Sequence, residues 1–316
     1  MEEREVERFH NEGGPIERGL VDLVRFFRTP RIEWPAAIPV SPRRPEAIAP
    51  GDAAVVTFVG HSTFVVQTRA GAFLTDPVYS ERASPVQWAG PKRVRKPGVP
   101  FEALPRIDVV LLSHNHYDHL DLDTLRRLDA RFRPLVVTGA GNRRLLRSAG
   151  LRRIVELRWW ETTAAGGARI TFTPARHFSA RTPFDRNEAL WGGFVVETLH
   201  ARVYFAGDSG WGPHFRAIGE RVGGPDVALL PIGAYEPRWF MRPVHMNPEE
   251  AVHAHLAIGA RSSVAMHFGT FHLTTEGIDA PIEALEAARR ALGVADHCFR
   301  VPEFGESIHV PLRPPA

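Results

Sequence analysis

At 316 residues, with 39 basic against 36 acidic side chains, the chain is long enough to bury a large core and so near charge balance that nothing in it calls for nucleic acid as a partner. A single cysteine, Cys298, excludes an intrachain disulfide framework and a cysteine-based zinc site, as suits a reducing compartment. No apolar run approaches the ~18–20 residues of a membrane span, and Met1-Glu2-Glu3-Arg4-Glu5 is charged where a signal peptide carries its apolar stretch, so a cytoplasmic protein is expected.

Residues 1–50 read as an arm and 51–316 as one domain. The arm passes through Gly13-Gly14-Pro15 and ends in an extended stretch with Pro35, Pro39, Pro42, Pro45 and Pro50, which resists helix and central strand alike. Between them, 19–28 predicts a short helix with a wide apolar face and arginines on its polar side. Packing on its own domain or on a partner subunit is the favoured reading of that face, ahead of contact with a membrane surface.

From Ala53 the texture changes to strands and turns. Runs at 55–59, 63–67 and 72–75 form a β-meander around Gly60-His61-Ser62. The apolar run Asp108-Val109-Val110-Leu111-Leu112 then hands into Ser113-His114-Asn115-His116-Tyr117-Asp118-His119, which carries three histidines and an aspartate in six residues. If the strand continues, His114 and His116 point to one side and a single cation could take both. Leucines at 122, 125 and 128, with Asp121 as N-cap, turn the chain into a helix immediately afterwards. Further on, strands are expected at 135–138, 153–158, 168–173, 191–198, 202–206, 227–231 and 262–266, with helices at 142–149, 213–221, 248–258 and 281–292 and a final pair of short strands. The runs at 108–112 and 226–230 echo each other, as if two β-rich halves met at one cavity.

Three later strands also deliver ligand-type residues at their ends: His177 after 169–174, Asp208 after 202–206, and His267 after 262–266. Neutral imidazoles hold Zn²⁺ at about 2.0–2.1 Å, and a carboxylate can span two cations and offset part of their charge. Open positions then bind water, whose pKa falls to about 7, and two cations stabilise an oxyanion on a phosphoryl or carbonyl group. The expected arrangement is two Zn²⁺ per chain, with His114, His116 and His177 on one, Asp118, His119 and His267 on the other, and Asp208 between them. A donor set of only nitrogen and oxygen also suits iron or manganese.

Other residues give weaker signals. His253 and His255 are two apart on a helix, cannot chelate one ion, and read as surface or interface residues. His61 could support a metal ligand or simply make a turn hydrogen bond. His245 precedes the helix near Pro248, where a catalytic or phosphate-contacting role and an incidental one are equally weighted. The loop 90–97 packs Lys92, Arg93, Arg95 and Lys96 together, attractive to phosphate or anionic lipid but usually just solvated. The segment 233–241 carries Tyr235, Trp239, Phe240 and Met241, which could wall an apolar pocket or pack on the domain.

His114-Asn115-His116-Tyr117-Asp118-His119 with His177, Asp208 and His267 resembles the metallo-β-lactamase superfamily. That resemblance implies an α+β fold, a four-layer αββα sandwich, around a dinuclear metal site. Asp208 stands where zinc β-lactamases typically carry cysteine, which disfavours antibiotic hydrolysis. Thr75-Asp76-Pro77, Arg82-Ala83-Ser84-Pro85, Gly90-Pro91-Lys92-Arg93, Trp159-Trp160-Glu161, 232–241, His245 with Pro248-Glu249-Glu250-Ala251, and Met266-His267-Phe268-Gly269-Thr270-Phe271 are similar to the N-acyl-phosphatidylethanolamine-hydrolysing phospholipase D family over about residues 50–310. Arg8-Phe9-His10-Asn11 extends the likeness into the arm. The resemblance implies phosphodiester hydrolysis to phosphatidic acid and an N-acylethanolamine, with Asp118 and His245 catalytic and Tyr117, Gln87 and His245 near the headgroup. It also implies a phospholipid partner, peripheral membrane contact and a homodimer to which the arm contributes. Ala180 stands where mammalian members carry lysine, which leaves Arg181 or Arg176 to meet phosphate. The rival expectations are a soluble hydrolase of the same superfamily, such as a sugar-phosphate lactonase, and an iron-dependent persulfide dioxygenase.

Overall fold

The computed structural model describes residues 7–14, 16 and 18–312. Met1-Glu2-Glu3-Arg4-Glu5 and Pro15 therefore lie outside the described residues. One sheet is built from β1 (Asp52–Gly60), β2 (Thr63–Thr68), β3 (Ala72–Thr75), β4 (Val109–Leu112), β5 (Leu135–Gly139), β6 (Ile154–Leu157) and, at the far edge, β14 (Ser307–Pro311). The other takes β7 (Thr162–Ala165), β8 (Ala168–Thr173), β9 (Gly193–Glu197), β10 (Arg202–Phe205), β11 (Val227–Pro231), β12 (Ser263–Met266) and β13 (Phe299–Arg300). The strand orders are β14-β1-β2-β3-β4-β5-β6 and β13-β12-β11-β10-β9-β8-β7. In the first sheet the β1–β2–β3 meander is antiparallel and β3 to β6 are parallel. In the second, β7 to β10 are antiparallel and β10 to β13 parallel. The echo between 108–112 and 226–230 is thus a real correspondence, since β4 and β11 are central parallel strands of opposite sheets.

Alternation decides the layers. Val109 and Leu111 of β4 join Phe172, Phe194 and Val196 in the core between the sheets. Val110 and Leu112 face the other way, against Leu125 and Leu128 of α2 (Leu122–Phe132) and Leu146 of α3 (Arg143–Ser148). Both faces of β4 are buried, which is why its sequence is continuously apolar instead of alternating. On the second sheet, α4 (His214–Val222), α6 (Pro248–Ile258) and α7 (Ala280–Leu292) supply Phe215, Ile218, Val252, Leu285 and Ala288 to the same core. The result is the αββα sandwich. The short strand β7 and the one-turn helix α5 (Arg238–Met241) were not expected, because four residues carry too little periodicity to read.

In the arm, α1 (Leu20–Arg28) buries only Phe26, which stacks on Phe240 with ring centroids 4.6 Å apart. The proline-rich stretch runs extended, donating from Ile38 N to Val94 O (2.7 Å) and from Arg43 N to Gly98 O (2.8 Å).

Candidate metal centre

β3 and β4 are parallel and in register, so Asp76 and Ser113 leave the sheet side by side. Asp76, wholly buried, accepts from Ser113 N (2.8 Å), Ser113 Oγ (2.5 Å) and His119 Nδ1 (2.6 Å). Burial pushes its carboxyl up, and the bonds from His119 and Ser113 offset only part of that. The expected extension of β4 through His116 is not found. His119 N and Leu120 N both turn back onto His116 O, at 3.1 and 2.8 Å, so 116–119 is a tight turn, because the helix capped by Asp121 begins too soon for the strand to continue. The two histidines still meet, by the turn: His114 Nε2 lies 2.9 Å from His116 Nδ1.

The second sheet brings the rest. His177 donates from Nδ1 to Val244 O (3.0 Å), which leaves Nε2 as the lone pair, 3.2 Å from His116 Nδ1. Gly207 (φ +59°) turns the chain into Asp208, and a Cβ there would come within 2.6 Å of Ser113 Cβ, so only glycine lets the two strand ends approach. His267 follows β12, also with positive φ, and its N–H is held by His61 O at 2.8 Å. Asp208 Oδ2 sits 3.2 Å from His119 Nε2 and 3.1 Å from His267 Nε2, with His177 Nε2 at 3.8 Å and His114 Nε2 at 4.0 Å. It therefore lies between the two groups of imidazoles. Asp118 Oδ2 is 3.4 Å from both His119 Nε2 and His267 Nε2.

All seven residues expected as ligands come together. His114, His116 and His177 present donor atoms within 4.8 Å of one another, and so do Asp118, His119 and His267 together with His61. Donors set tetrahedrally around zinc at about 2.0–2.1 Å would be about 3.3 Å apart, close to the spacings here. His119 Nε2, His267 Nε2 and Asp208 Oδ1 are buried without a hydrogen-bond partner, a costly arrangement that a cation relieves. The residues fit a metal.

The electrostatics agree. Burial holds His116 at about 3 and His177 at about 4 and keeps His114 low, so these imidazoles stay neutral with lone pairs available. Burial opposes charge on Asp118 and Asp208, yet the neighbouring imidazoles, His119 foremost, keep both carboxyls well below the usual range. Against burial, Asp208 in turn raises His119 strongly and His267 to about 9. The two carboxylates thus present negative charge that a divalent cation would balance.

The expected substrate contacts are placed less uniformly. His245 is inside the cluster, with Nε2 3.7 Å from Asp208 Oδ2, just before the capping box of Asn247 and Glu250 that opens α6. Tyr117 and Arg181 form one unit: the Arg181 guanidinium lies 3.9 Å over the Tyr117 ring and donates to Asn115 O (2.8 Å) and Leu120 O (2.9 Å), while Tyr117 Oη donates to Arg181 O (3.0 Å). Arg181 is thus already engaged in bracing the histidine loop. The pair borders two cavities, of about 530 and about 200 Å³, and exposed Gln87 lines the smaller, its Oε1 taken by Arg82 N (3.1 Å). The structure does not bring Gln87 to the imidazoles. Arg176 donates to Trp211 O (3.0 Å).

Some readings need correction. His255 is not a surface residue: it is buried, with Nδ1 2.8 Å from Ser263 Oγ, because α6 packs on the sheet flanked by α4 and α7. The basic loop is not a free cationic patch either. Arg93 is buried, donating to Ser80 O and Val78 O, and Arg95 donates to Gly269 O (2.7 Å). In 233–241, Tyr235 and Met241 are buried, while Trp239 and Phe240 pack with Phe26, Phe178 and Val244 beside the cluster. The residues that sequence reasoning left out are Asp76 and Asn11. Asp76 carried the same signal as Asp208, an acid at the end of an apolar strand. His61, left open, places Nε2 3.0 Å from Asp118 Oδ2.

The family model described as the Beta-lactamase superfamily domain matches residues 72–268, a span that contains all seven cluster residues. N-acyl-phosphatidylethanolamine-hydrolyzing phospholipase D 1 of Caenorhabditis elegans is 39% identical over 263 residues, covering 79% of this chain and 74% of that protein. The mitochondrial N-acyl-phosphatidylethanolamine-hydrolyzing phospholipase D of Saccharomyces cerevisiae is 35% identical over 259 residues, 79% of this chain and 55% of that one. Among solved structures, a metallo hydrolase from the archaeon Ignicoccus hospitalis aligns with a TM-score of 0.60 at 25% identity, over 81% of this chain and 97% of that chain.

Proposed function

The chain belongs to the beta-lactamase superfamily and is a metal-dependent hydrolase, and from that premise we propose that it is a dinuclear zinc phosphodiesterase of the phospholipase D type, cleaving N-acyl-phosphatidylethanolamine to phosphatidic acid and an N-acylethanolamine. The observation that carries this reading is the 39% identity to the nematode phospholipase D across 79% of the chain. In this reading His114, His116 and His177 hold one cation, Asp118, His119 and His267 the other, and Asp208 both. When bound, the cations supply Lewis acidity toward the phosphodiester and lower the pKa of a water ligand. Asp118 accepts a proton from the attacking water, whose oxygen ends on phosphatidic acid as the bond from phosphorus to the ethanolamine oxygen breaks. That oxygen leaves with the proton. His245, kept neutral by burial, offers a ring N–H to a phosphoryl oxygen. Tyr117 and Arg181 shape the headgroup side, with Gln87 at its rim.

An apolar wall supports a lipid substrate. The Phe178 ring lies 4.6 Å from His116 and packs with Phe26, Trp239, Phe240, Met241 and Val244. Outside this wall α1 exposes Leu20, Val21 and Phe27, with Arg25 and Arg28 in its last turn, a pattern that suits an anionic lipid surface. No helix among the described residues is long and apolar enough to cross a membrane. We read the protein as cytoplasmic and peripheral. A homodimer sharing the same face is the competing arrangement, and light scattering with and without vesicles separates the two.

The test is mass spectrometry of products from mixed phospholipids incubated with the purified, zinc-loaded protein. N-acylethanolamine and phosphatidic acid should appear together. Equal turnover of a short-chain, water-soluble phosphodiester would instead favour a soluble hydrolase, and one iron per chain would favour persulfide dioxygenation.

A further inference from the structure

We propose that Asn11, in the N-terminal arm, is a positioning residue for the first cation, holding His177 at the distance His114 and His116 require. This rests on the assignment of those three histidines to a metal. β8 ends at Thr173, so the backbone at His177 has no strand partner. Buried peptide groups must find partners, and here a side chain from 166 residues away supplies both: His177 N donates to Asn11 Oδ1 (3.0 Å) and Asn11 Nδ2 donates to His177 O (2.8 Å). A primary amide can do this because it presents an acceptor and a donor side by side, as a peptide does. Trp191 Nε1 adds a third bond to Asn11 Oδ1 at 3.2 Å, and Asn11 is only 7% exposed. The ring of His177 is fixed separately, by Val244 O. Between them, the amide sets where the residue sits and the carbonyl sets which way Nε2 points.

The arm is tied down independently. Phe9 N donates to Asn187 O (2.8 Å), and Arg8 donates to Arg186 O (2.6 Å) and pairs with Glu188 at 3.2 Å. These contacts do not touch His177, which makes them a control. Asn11 lies outside the span matched by the family model.

The experiment measures metal content by inductively coupled plasma mass spectrometry during dialysis against a graded chelator, on the full chain. Wild type should hold two zinc ions. Asn11→Ala should lose one of them at roughly 10–100-fold lower chelator strength while keeping the other, the size expected when an outer partner of a ligand is removed. Asn11→Asp, nearly isosteric but unable to donate to His177 O, should behave the same way and serves if the alanine variant fails to fold. Arg8→Ala should keep both ions. The proposal is overturned if either Asn11 variant retains both ions at wild-type chelator strength, if both ions leave together, or if Arg8→Ala loses one equally. A failure of the underlying site assignment looks different: His116→Ala would then keep two ions, or wild type would hold none.

Discussion

At the scale of single residues, the centre depends on which nitrogen of each imidazole is free. His119 gives Nδ1 to Asp76 and His177 gives Nδ1 to Val244 O, so both turn Nε2 inward. Asp76→Asn should keep the fold but weaken zinc binding by about 10–100-fold, since an amide can no longer accept from His119 and Ser113 as the carboxylate does; competition with a fluorescent chelator measures it. His116→Ala and Asp208→Asn should lose metal and activity together while circular dichroism stays near wild type. Either variant with full turnover would sink the ligand assignment. Spacing made His114, His116, Asp118 and His119 readable in sequence because they share one loop. Asn11 was not, since what distinguishes it is a partner 166 residues away; Asp76 shared the strand-end signal of Asp208, but its bond to His119, 43 residues away, showed only in the fold.

At the scale of elements, the edge strand β14 closes the first sheet over β1, and an ionisable link crosses that pair beside the Thr57–Ser307 hydroxyl bond. His309 Nδ1 lies 2.7 Å from Asp52 Oδ2, and its Nε2 lies 3.0 Å from Glu46 Oε2. The bonds to Asp52 and Glu46 raise His309, and the bond from His309 lowers Asp52. The raised histidine contributes fully below its ordinary value of about 6.5 and loses that contribution as pH rises through its folded value. The lowered aspartate contributes above about 3.9 and loses it as pH falls through its own. The link should therefore be strongest between those limits, and small, because the imidazole is 38% exposed. Thermal melts of wild type and His309→Gln should differ more at pH 5.5 than at pH 9; a gap that widens at pH 9 would refute the pairing. Most longer elements were readable from periodicity, with a cap signal as well at Asp121; the Asn247 cap of α6 emerged only in the structure. β7 and α5 were too short to show a period.

At the scale of the whole molecule, the proposed centre is drawn from both sheets: His114, His116, Asp118 and His119 follow β4, while His177, Asp208 and His267 follow β8, β10 and β12. Metal binding and sheet packing are then coupled. Phe172, fully buried between the sheets and 5.0 Å from Phe194, should cost about 3–5 kcal/mol on replacement by alanine. Urea unfolding should show that loss, and a chelator should lower the melting temperature of wild type, since ligands that bind only the native state stabilise it. An unchanged melting temperature on metal removal would mean that the cations do not bridge the sheets. From the sequence alone came the ligand types, the strand ends that carry them and the family they resemble, because periodicity and residue chemistry are local properties of a chain. Only the tertiary structure decided that Gly207 lets the two strand ends approach, that His119 is held by Asp76, and that the arm reaches back to hold His177. These are contacts between segments far apart in the chain, created by packing, and no spacing along the sequence records them.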